Sequence, residues 1–403
     1  MAGLSSADVV FRLWPRQCRR QPQAGARYDS NARCSITDSR LTELRHEIDL
    51  LNESILASIQ RRGSIVLEIA AIKRARGLAG YDAKREEEML QSLTSSSSGP
   101  CGPADVKEIF KTIFRASLDL QNLERRKGMR VLRRDLVPES GFLVGDVPIG
   151  GPEPVLFVGP CSVETAEQIE AIAEFVAGIP GPKILRAGAF KPRTNPYTFQ
   201  GLREEGLRLL RDAADRHGLV VVTEVLDTAT VDVVAEHADM LQIGARNMYN
   251  TELLKAVGRS GKPVLLKRAF MATLDELLLS AEYILAGGND RVVLCERGIR
   301  TFGRETRFTL DISAIPLLQK ETSLPVIVDL SHALGRKDIM VPCARAALAA
   351  GADGLMIEIH NRPDQALSDG FQQFDLAEFA TFLECLGDRA VAPPEPSLEG
   401  SHG

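Results

Sequence analysis

The chain has 403 residues, 44% hydrophobic and 26% charged, with a formal net charge of −5. That length suits two domains rather than one, and the mild acidity excludes nucleic acid as a main partner, since phosphate backbones demand concentrated Lys and Arg. No stretch reaches the roughly 18 consecutive apolar residues of a membrane span. Seven scattered cysteines do not form a disulfide framework, so a reducing, cytoplasmic setting is expected, with no membrane partner.

Residues 1–36 carry Arg12, Arg16, Arg19, Arg20, Arg27 and Arg33 against only Asp8 and Asp29. Without a sustained apolar period they read as a disordered tail; a targeting peptide is the sharper alternative. From Leu41 the pattern changes. Leu41, Leu44, Ile48, Leu51, Ile55, Ile59, Val66 and Ile69 recur in steps of three and four, which predicts one long helix capped at Asp38 or Ser39. At about 35 residues and about 50 Å it cannot bury its face alone. Two more helices are expected, from Asp82 to about Leu93 and from Pro103 to about Arg126. The three together suggest an intertwined dimer, in a helical domain spanning 38–130.

Charges fall on the wrong face of these helices. Arg62 and Lys73 continue the apolar stripe, and a buried cation needs an anion nearby. Arg45 points toward a different neighbour. Asp82, Arg85, Glu86 and Met89 share a side of the second helix, and Gln121 continues the stripe of Phe110, Phe114 and Ser117 on the third. Singly, each is an ordinary surface or salt-bridged residue; jointly they describe a pocket for a small dianion.

The runs LRHEIDLLNESILASIQRRGSIVLEIAAIKRARG, YDAKREEEML and IFRASLDLQ resemble the all-α type of chorismate mutase over about 90 residues, with polar positions coinciding as well as apolar ones. The resemblance implies that Arg62, with Arg45 reaching across from a partner subunit, clamps two carboxylates. Lys73 and Gln121 would then serve the ether oxygen, with Asp82, Arg85 and Glu86 completing the wall around chorismate or prephenate. A Claisen rearrangement fits those residue types, because it needs a folded conformer and cations beside the breaking C–O bond, not a nucleophile.

A linker at 131–141 leads to the second half, residues 142–388. FLVGDVPI (142–149) predicts a hairpin around Gly145-Asp146. Eight β-rich runs follow: VLFVGP (155–160), KILRAG (183–188), VVVTEV (220–225), MLQIGA (240–245), PVLLKR (263–268), RVVLCER (291–297), PVIVDL (325–330) and GLMIEI (354–359). Helical patterns at 165–178, 202–217, 274–285 and 337–350 fill gaps between them. That is the count of an α/β (β/α)8 TIM barrel; a doubly wound sheet is the alternative, but no Gly-rich dinucleotide turn follows the first strand. The Pro/Gly/Ser-rich residues 389–403 read as a second disordered tail.

Sites in such barrels lie at the C-terminal strand ends. Those ends supply Cys161, Arg186 with Lys191 and Arg193, Glu224, Arg246, Lys267, Arg297, Asp329 with His332, and Glu358. A lone Cys or His is usually a core residue. Yet Cys161, His332, Glu358 and Asp369 converging at one mouth suit a divalent transition metal, with Mn, Fe, Co, Zn and Cu all tolerated. Six cations around the same mouth imply phosphate and carboxylate substrates.

GPCSVE (159–164), LRAGAFKPRTNPYTFQGL (185–202), LQIGARNM (241–248), VLLKRAF (264–270), LCERGIRTF (294–302), SHALGR (331–336) and EIHNRPDQALSDG (358–370) resemble the 3-deoxy-D-arabino-heptulosonate-7-phosphate (DAHP) synthases of the type I branch related to ketodeoxyoctonate phosphate synthases. The resemblance implies that Cys161, His332, Glu358 and Asp369 bind metal, and that Arg186, Lys191, Arg246, Lys267 and Arg297 hold phosphoenolpyruvate. Arg193 and Thr194, within KPRT, would hold the phosphate of erythrose 4-phosphate; that tetrapeptide separates this family from the octulosonate enzymes. Lys191 lies in the right loop to pass a proton. Together the two halves resemble a chorismate mutase–DAHP synthase fusion, a homodimer or homotetramer entering the shikimate pathway. Its helical domain either converts chorismate to prephenate or serves only as a feedback sensor.

Overall fold

A computed structural model of the chain describes residues 30–76, 82–126, 128–134, 141–193 and 195–387. It divides into two compact units, Met1–Glu124 and Arg125–Gly403. Most of the expected N-terminal tail, the expected C-terminal tail, Thr194 and part of the linker lie outside the described residues.

The first unit is built on three helices, α1 (Ser30–Ala75), α2 (Ala83–Ser95) and α3 (Pro103–Arg126). The start of α1 corrects the expected one: the helix already runs at Ser30, so residues 30–36 are helical rather than tail, and Asp38 and Ser39 lie inside it. No Gly or Pro interrupts residues 30–62, so nothing stops helix propagating upstream of those two polar residues. Asp82 caps α2 by accepting the Arg85 N–H at 3.1 Å, and Pro103 opens α3, where a missing N–H costs nothing. Val66, Leu90 and Phe114 are buried, but the stripe from Leu41 to Ile59 is 41–62% exposed.

The second unit opens with a 3-10 turn, Arg130–Leu132, whose Arg130 and Val131 N–H groups donate to the Glu282 carboxylate. The hairpin β1 (Phe142–Val144) and β2 (Val147–Ile149) pairs antiparallel about Gly145, which adopts φ +59° in the turn. Then come β3 (Val155–Gly159), α4 (Ala166–Ala177), β4 (Lys183–Arg186), α5 (Glu204–His217), β5 (Val221–Glu224), α6 (Val231–His237), β6 (Met240–Ile243) and α7 (Thr251–Arg259). The chain continues through β7 (Val264–Lys267), α8 (Leu274–Ala286), β8 (Val292–Glu296), α9 (Ala314–Glu321), β9 (Val326–Asp329), α10 (Leu330–Leu334), α11 (Met340–Ala349), β10 (Gly354–Glu358) and α12 (Leu376–Gly387).

Strands β3 to β10 pair in parallel with their sequence neighbours, and β10 closes onto β3. This is the expected TIM barrel. Alternation along each strand divides the core: Phe157, Ile184, Val222, Met240, Leu265, Val293, Ile327 and Met356 fill the interior, while their neighbours pack outward on the helices. Val144 and Ile149 of the hairpin join the interior cluster beside Val155 and Val220 at the strand starts. The hairpin therefore plugs the N-terminal end, leaving only the C-terminal end as an open mouth.

Candidate functional site

Apolar strand residues end in polar ones at the mouth. Arg186, Glu224, Lys267, Asp329 and Glu358 are the last residues of β4, β5, β7, β9 and β10, and all five are buried. Cys161 lies just beyond β3, and His332 is on the short α10, whose start Asp329 caps by accepting the His332 N–H at 3.0 Å. Asp369 sits in the loop after β10 with φ +50°, a left-handed conformation that is costly for a non-glycine residue and typical of functional loops.

Cys161, His332, Glu358 and Asp369 each offer one ligand atom, and these atoms lie within 4.8 Å of one another. Burial raises the Cys161 thiol, with Glu358 adding to the rise and Lys191 opposing it; a bound cation is what would favour the thiolate. Burial also pushes the Glu358 carboxyl up, but His332, Arg186 and Lys191 outweigh it and bring it down to about 2. His332 Nε2 faces Glu358 Oε1 at 3.4 Å, while Nδ1 faces Asp329 Oδ2 at 2.8 Å. A thiol, an imidazole and two carboxylates with a carboxylate behind the imidazole fit a divalent transition ion.

A cavity of about 280 Å³ opens beside this quartet. All six expected cations line it: Arg186, Lys191, Arg193, Arg246, Lys267 and Arg297. Arg186 donates to Glu358 at 2.7 Å, and Lys267 pairs with Asp329. The Lys191 ammonium donates to the Cys161 carbonyl at 2.8 Å and lies 3.0 Å from its sulfur. Arg297 is different. Its Nε and Nη1 are buried without a partner, its guanidinium lies 4.2 Å from the Phe308 ring centroid, and burial lowers its affinity for its proton. A buried cation left this poorly compensated fits an arriving anion. Arg193 donates to the Phe199 carbonyl at 3.0 Å and to the Ser368 hydroxyl, next to Asp369.

Several residues at the mouth escaped the sequence reading. Arg307 is a seventh cation lining the cavity, pairing with Asp369 at 3.4 Å and donating to Gln372 at 2.8 Å. Gln372 in turn donates to Glu358 at 2.6 Å. Arg307 comes from an irregular loop and Gln372 from the short 3-10 turn Gly370–Gln372, where no periodicity marks an inward-facing side chain.

The helical unit has its own cavity of about 120 Å³, and Arg62, Lys73, Asp82, Arg85, Glu86 and Gln121 all line it. Arg62 donates to the Ser117 hydroxyl and stacks 5.0 Å from the Phe114 ring centroid, and partial burial lowers its affinity for its proton. Of the seven expected residues, only Arg45 is not brought here; it is exposed on α1.

The fold and site define a (β/α)8 barrel with a cation-lined mouth, preceded in sequence by a helical unit. Family models match both halves: the DAHP synthetase I family over residues 125–392 and chorismate mutase type II over residues 44–122. The chain belongs to the DAHP synthetase I family and carries a chorismate mutase domain ahead of its barrel. The phospho-2-dehydro-3-deoxyheptonate aldolase of Thermotoga maritima is 51% identical over 259 residues, covering 64% of this chain and 76% of that protein. The 2-dehydro-3-deoxyphosphooctonate aldolase of Koribacter versatilis is 33% identical, covering 64% of this chain and 99% of that protein. The crystal structure of the Thermotoga maritima DAHP synthase matches with TM-score 0.61 at 50% identity, covering 64% of this chain and 75% of that one. Among the described residues, no helix is long and apolar enough to cross a membrane.

Proposed function

We propose that the barrel condenses phosphoenolpyruvate with erythrose 4-phosphate and water to give DAHP and phosphate, and that it depends on a divalent metal. The observation that carries this reading is the cation-lined cavity beside four ligand atoms within 4.8 Å. Cys161, His332, Glu358 and Asp369 would hold the ion, which when bound supplies Lewis-acid polarisation of the aldehyde. Arg186, Lys191, Arg246, Lys267 and Arg297 hold phosphoenolpyruvate, and Arg193 and Thr194 hold the phosphate of erythrose 4-phosphate. This clamp brings C3 of phosphoenolpyruvate to the aldehyde carbon. The new C–C bond forms there, water adds at C2, and phosphate departs with cleavage of its C–O bond. The Lys191 ammonium, beside the Cys161 sulfur, is placed to hold or return a proton at Nζ.

The helical domain binds chorismate and prephenate between Arg62, Lys73, Asp82, Arg85, Glu86 and Gln121, with Arg45 supplied by a second subunit. It converts one to the other, and occupancy limits flux through the barrel. The exposed stripe from Leu41 to Ile59 supports a dimer along α1, because one chain leaves that apolar face to water.

The test follows the loss of phosphoenolpyruvate absorbance with erythrose 4-phosphate, with and without chelator and added prephenate. Chelator-sensitive loss that prephenate suppresses is expected. No loss after metal repletion overturns the barrel reading. Inhibition by prephenate without any turnover of chorismate would leave the helical domain a sensor alone.

A further inference from the structure

Asp329 stands behind the ligand quartet rather than in it, and its side chain is fully buried. Its Oδ1 accepts the His332 N–H at 3.0 Å. Its Oδ2 lies 2.8 Å from His332 Nδ1, a close approach in which the ring is not aligned for a hydrogen bond and Nδ1 has no other partner, and it also takes the Lys267 ammonium. One carboxylate thus meets the backbone and ring of a proposed metal ligand, and a proposed phosphoenolpyruvate cation. The three groups come from three segments: the end of β9, the first turn of α10 and the end of β7.

The chemistry of each contact is specific. A carboxylate at Nδ1 keeps the ring proton there and turns the Nε2 lone pair outward. Nε2 is the nitrogen that faces Glu358. The Lys267 ammonium is nearly inaccessible and has the Met356 sulfur at 3.6 Å as another neighbour. Without Asp329 it would be an uncompensated buried cation, free to turn away from the mouth.

We propose that Asp329 is a positioning residue serving both halves of the mouth. It sets the tautomer and orientation of His332 toward the metal, and it holds the Lys267 ammonium aimed at phosphoenolpyruvate. This rests on the site reading above. Its consequence is that removing one carboxylate, which touches neither metal nor substrate, weakens two unlike ligands together. A purely structural role as helix cap and ion-pair partner predicts lower thermal stability with neither affinity changed.

The experiment uses full-length protein and the variant Asp329→Asn. Cobalt(II) is titrated into metal-free protein and followed by its thiolate charge-transfer band. Phosphoenolpyruvate is titrated calorimetrically into metal-free protein, and KM for erythrose 4-phosphate is measured at saturating cobalt and phosphoenolpyruvate. Cobalt affinity should fall by about 10- to 100-fold, the range for lost outer-shell partners. Phosphoenolpyruvate affinity should fall by about tenfold or more, the order of one charge-assisted hydrogen bond. KM for erythrose 4-phosphate should stay at its wild-type value. A folded variant that keeps either affinity overturns the dual role.

If Asp329→Asn does not fold, Lys267→Met is compared with the double variant Lys267→Met/Asp329→Asn, which removes the ion pair as a unit. The double variant should bind cobalt more weakly than Lys267→Met, and equal affinities overturn the proposal. Absence of the thiolate–cobalt band from the wild type itself would instead overturn the metal-site reading, a different failure that the parallel titration identifies.

Discussion

The barrel mouth and the helical cavity are both lined with charge, but they are held in opposite ways. At the mouth, strand ends deliver buried groups, and opposite charges support each other within one chain: Arg186 with Glu358, Lys267 with Asp329, Arg307 with Asp369. In the helical unit the lining comes from three helices whose apolar faces are only partly covered, with Ile48, Leu51 and Ile55 all above 50% exposed. A closed barrel can complete a site by itself, because closure fixes every strand end relative to its neighbours. A long helix has no such closure, so a site on it needs a second helix surface from elsewhere.

The largest effect that sharpens this contrast is expected from Cys161→Ser. Losing a ligand of the proposed quartet should exceed the cost of losing an outer-shell partner, with metal affinity down by more than about 100-fold and synthase turnover falling with it. Turnover or binding of chorismate should be untouched if the mouth is self-contained. Metal content per chain is the decisive measurement. A wild-type content in the serine variant removes Cys161 from the ligand set.

The next effect probes the helical cavity. Arg62→Ala and Arg45→Ala should each lower chorismate turnover or prephenate affinity by about 10²- to 10³-fold, the range for truncating a charged clamp, while leaving the synthase rate with metal unchanged. Co-refolding the two inactive variants distinguishes one chain from two. If Arg45 acts across a symmetric interface, mixed dimers regain one intact site, about a quarter of wild-type activity in an equal mixture. No recovery would place both arginines in the same subunit's site, or leave Arg45 outside it.

What the sequence made legible follows the same division. All eight barrel strands were visible as short apolar runs rich in Val, Ile and Leu, and most of them end in a polar residue, as VLLK does at Lys267 and VIVD at Asp329. Alternation supplied the rest, since inward neighbours at a strand end must share the mouth. Six of seven expected residues line the helical cavity; Arg62, Lys73 and Gln121 were legible because a polar group on an apolar stripe is a visible conflict, and Asp82, Arg85 and Glu86 because they share one side of α2 and its cap. The start of α1 was not, since Asp38 and Ser39 look like a cap while nothing between Ser30 and them marks where the helix begins. Arg307 and Gln372 were invisible for another reason: one sits in a loop and the other in a single 3-10 turn, where only the folded chain decides which side chain turns inward. Asp329 was seen as a strand-end group, but its two partners are set by three-dimensional neighbours that no spacing encodes.

The smallest effect tests whether pairing is what keeps charge tolerable in the barrel. Asp353 and Glu358 flank β10, one before its first residue and one at its last, and both are largely shielded from water. Glu358 has cations around it and is pulled down to about 2. Asp353, at the opposite end, has its Oδ2 accepting the Val326 N–H at 2.7 Å, and burial pushes it up to about 6. The folded state therefore holds the Asp353 proton more tightly than the unfolded chain. Its stabilising share is complete below the unfolded value of about 4 and is lost as pH rises through about 6. Asp353→Asn keeps an acceptor for Val326 but removes that ionisation, so the variant should gain about 1–3 kcal/mol at pH 7 and nothing near pH 4. Thermal unfolding across that window measures it, and a variant with the wild-type pH slope would mean that Asp353 ionises in the fold as easily as in water.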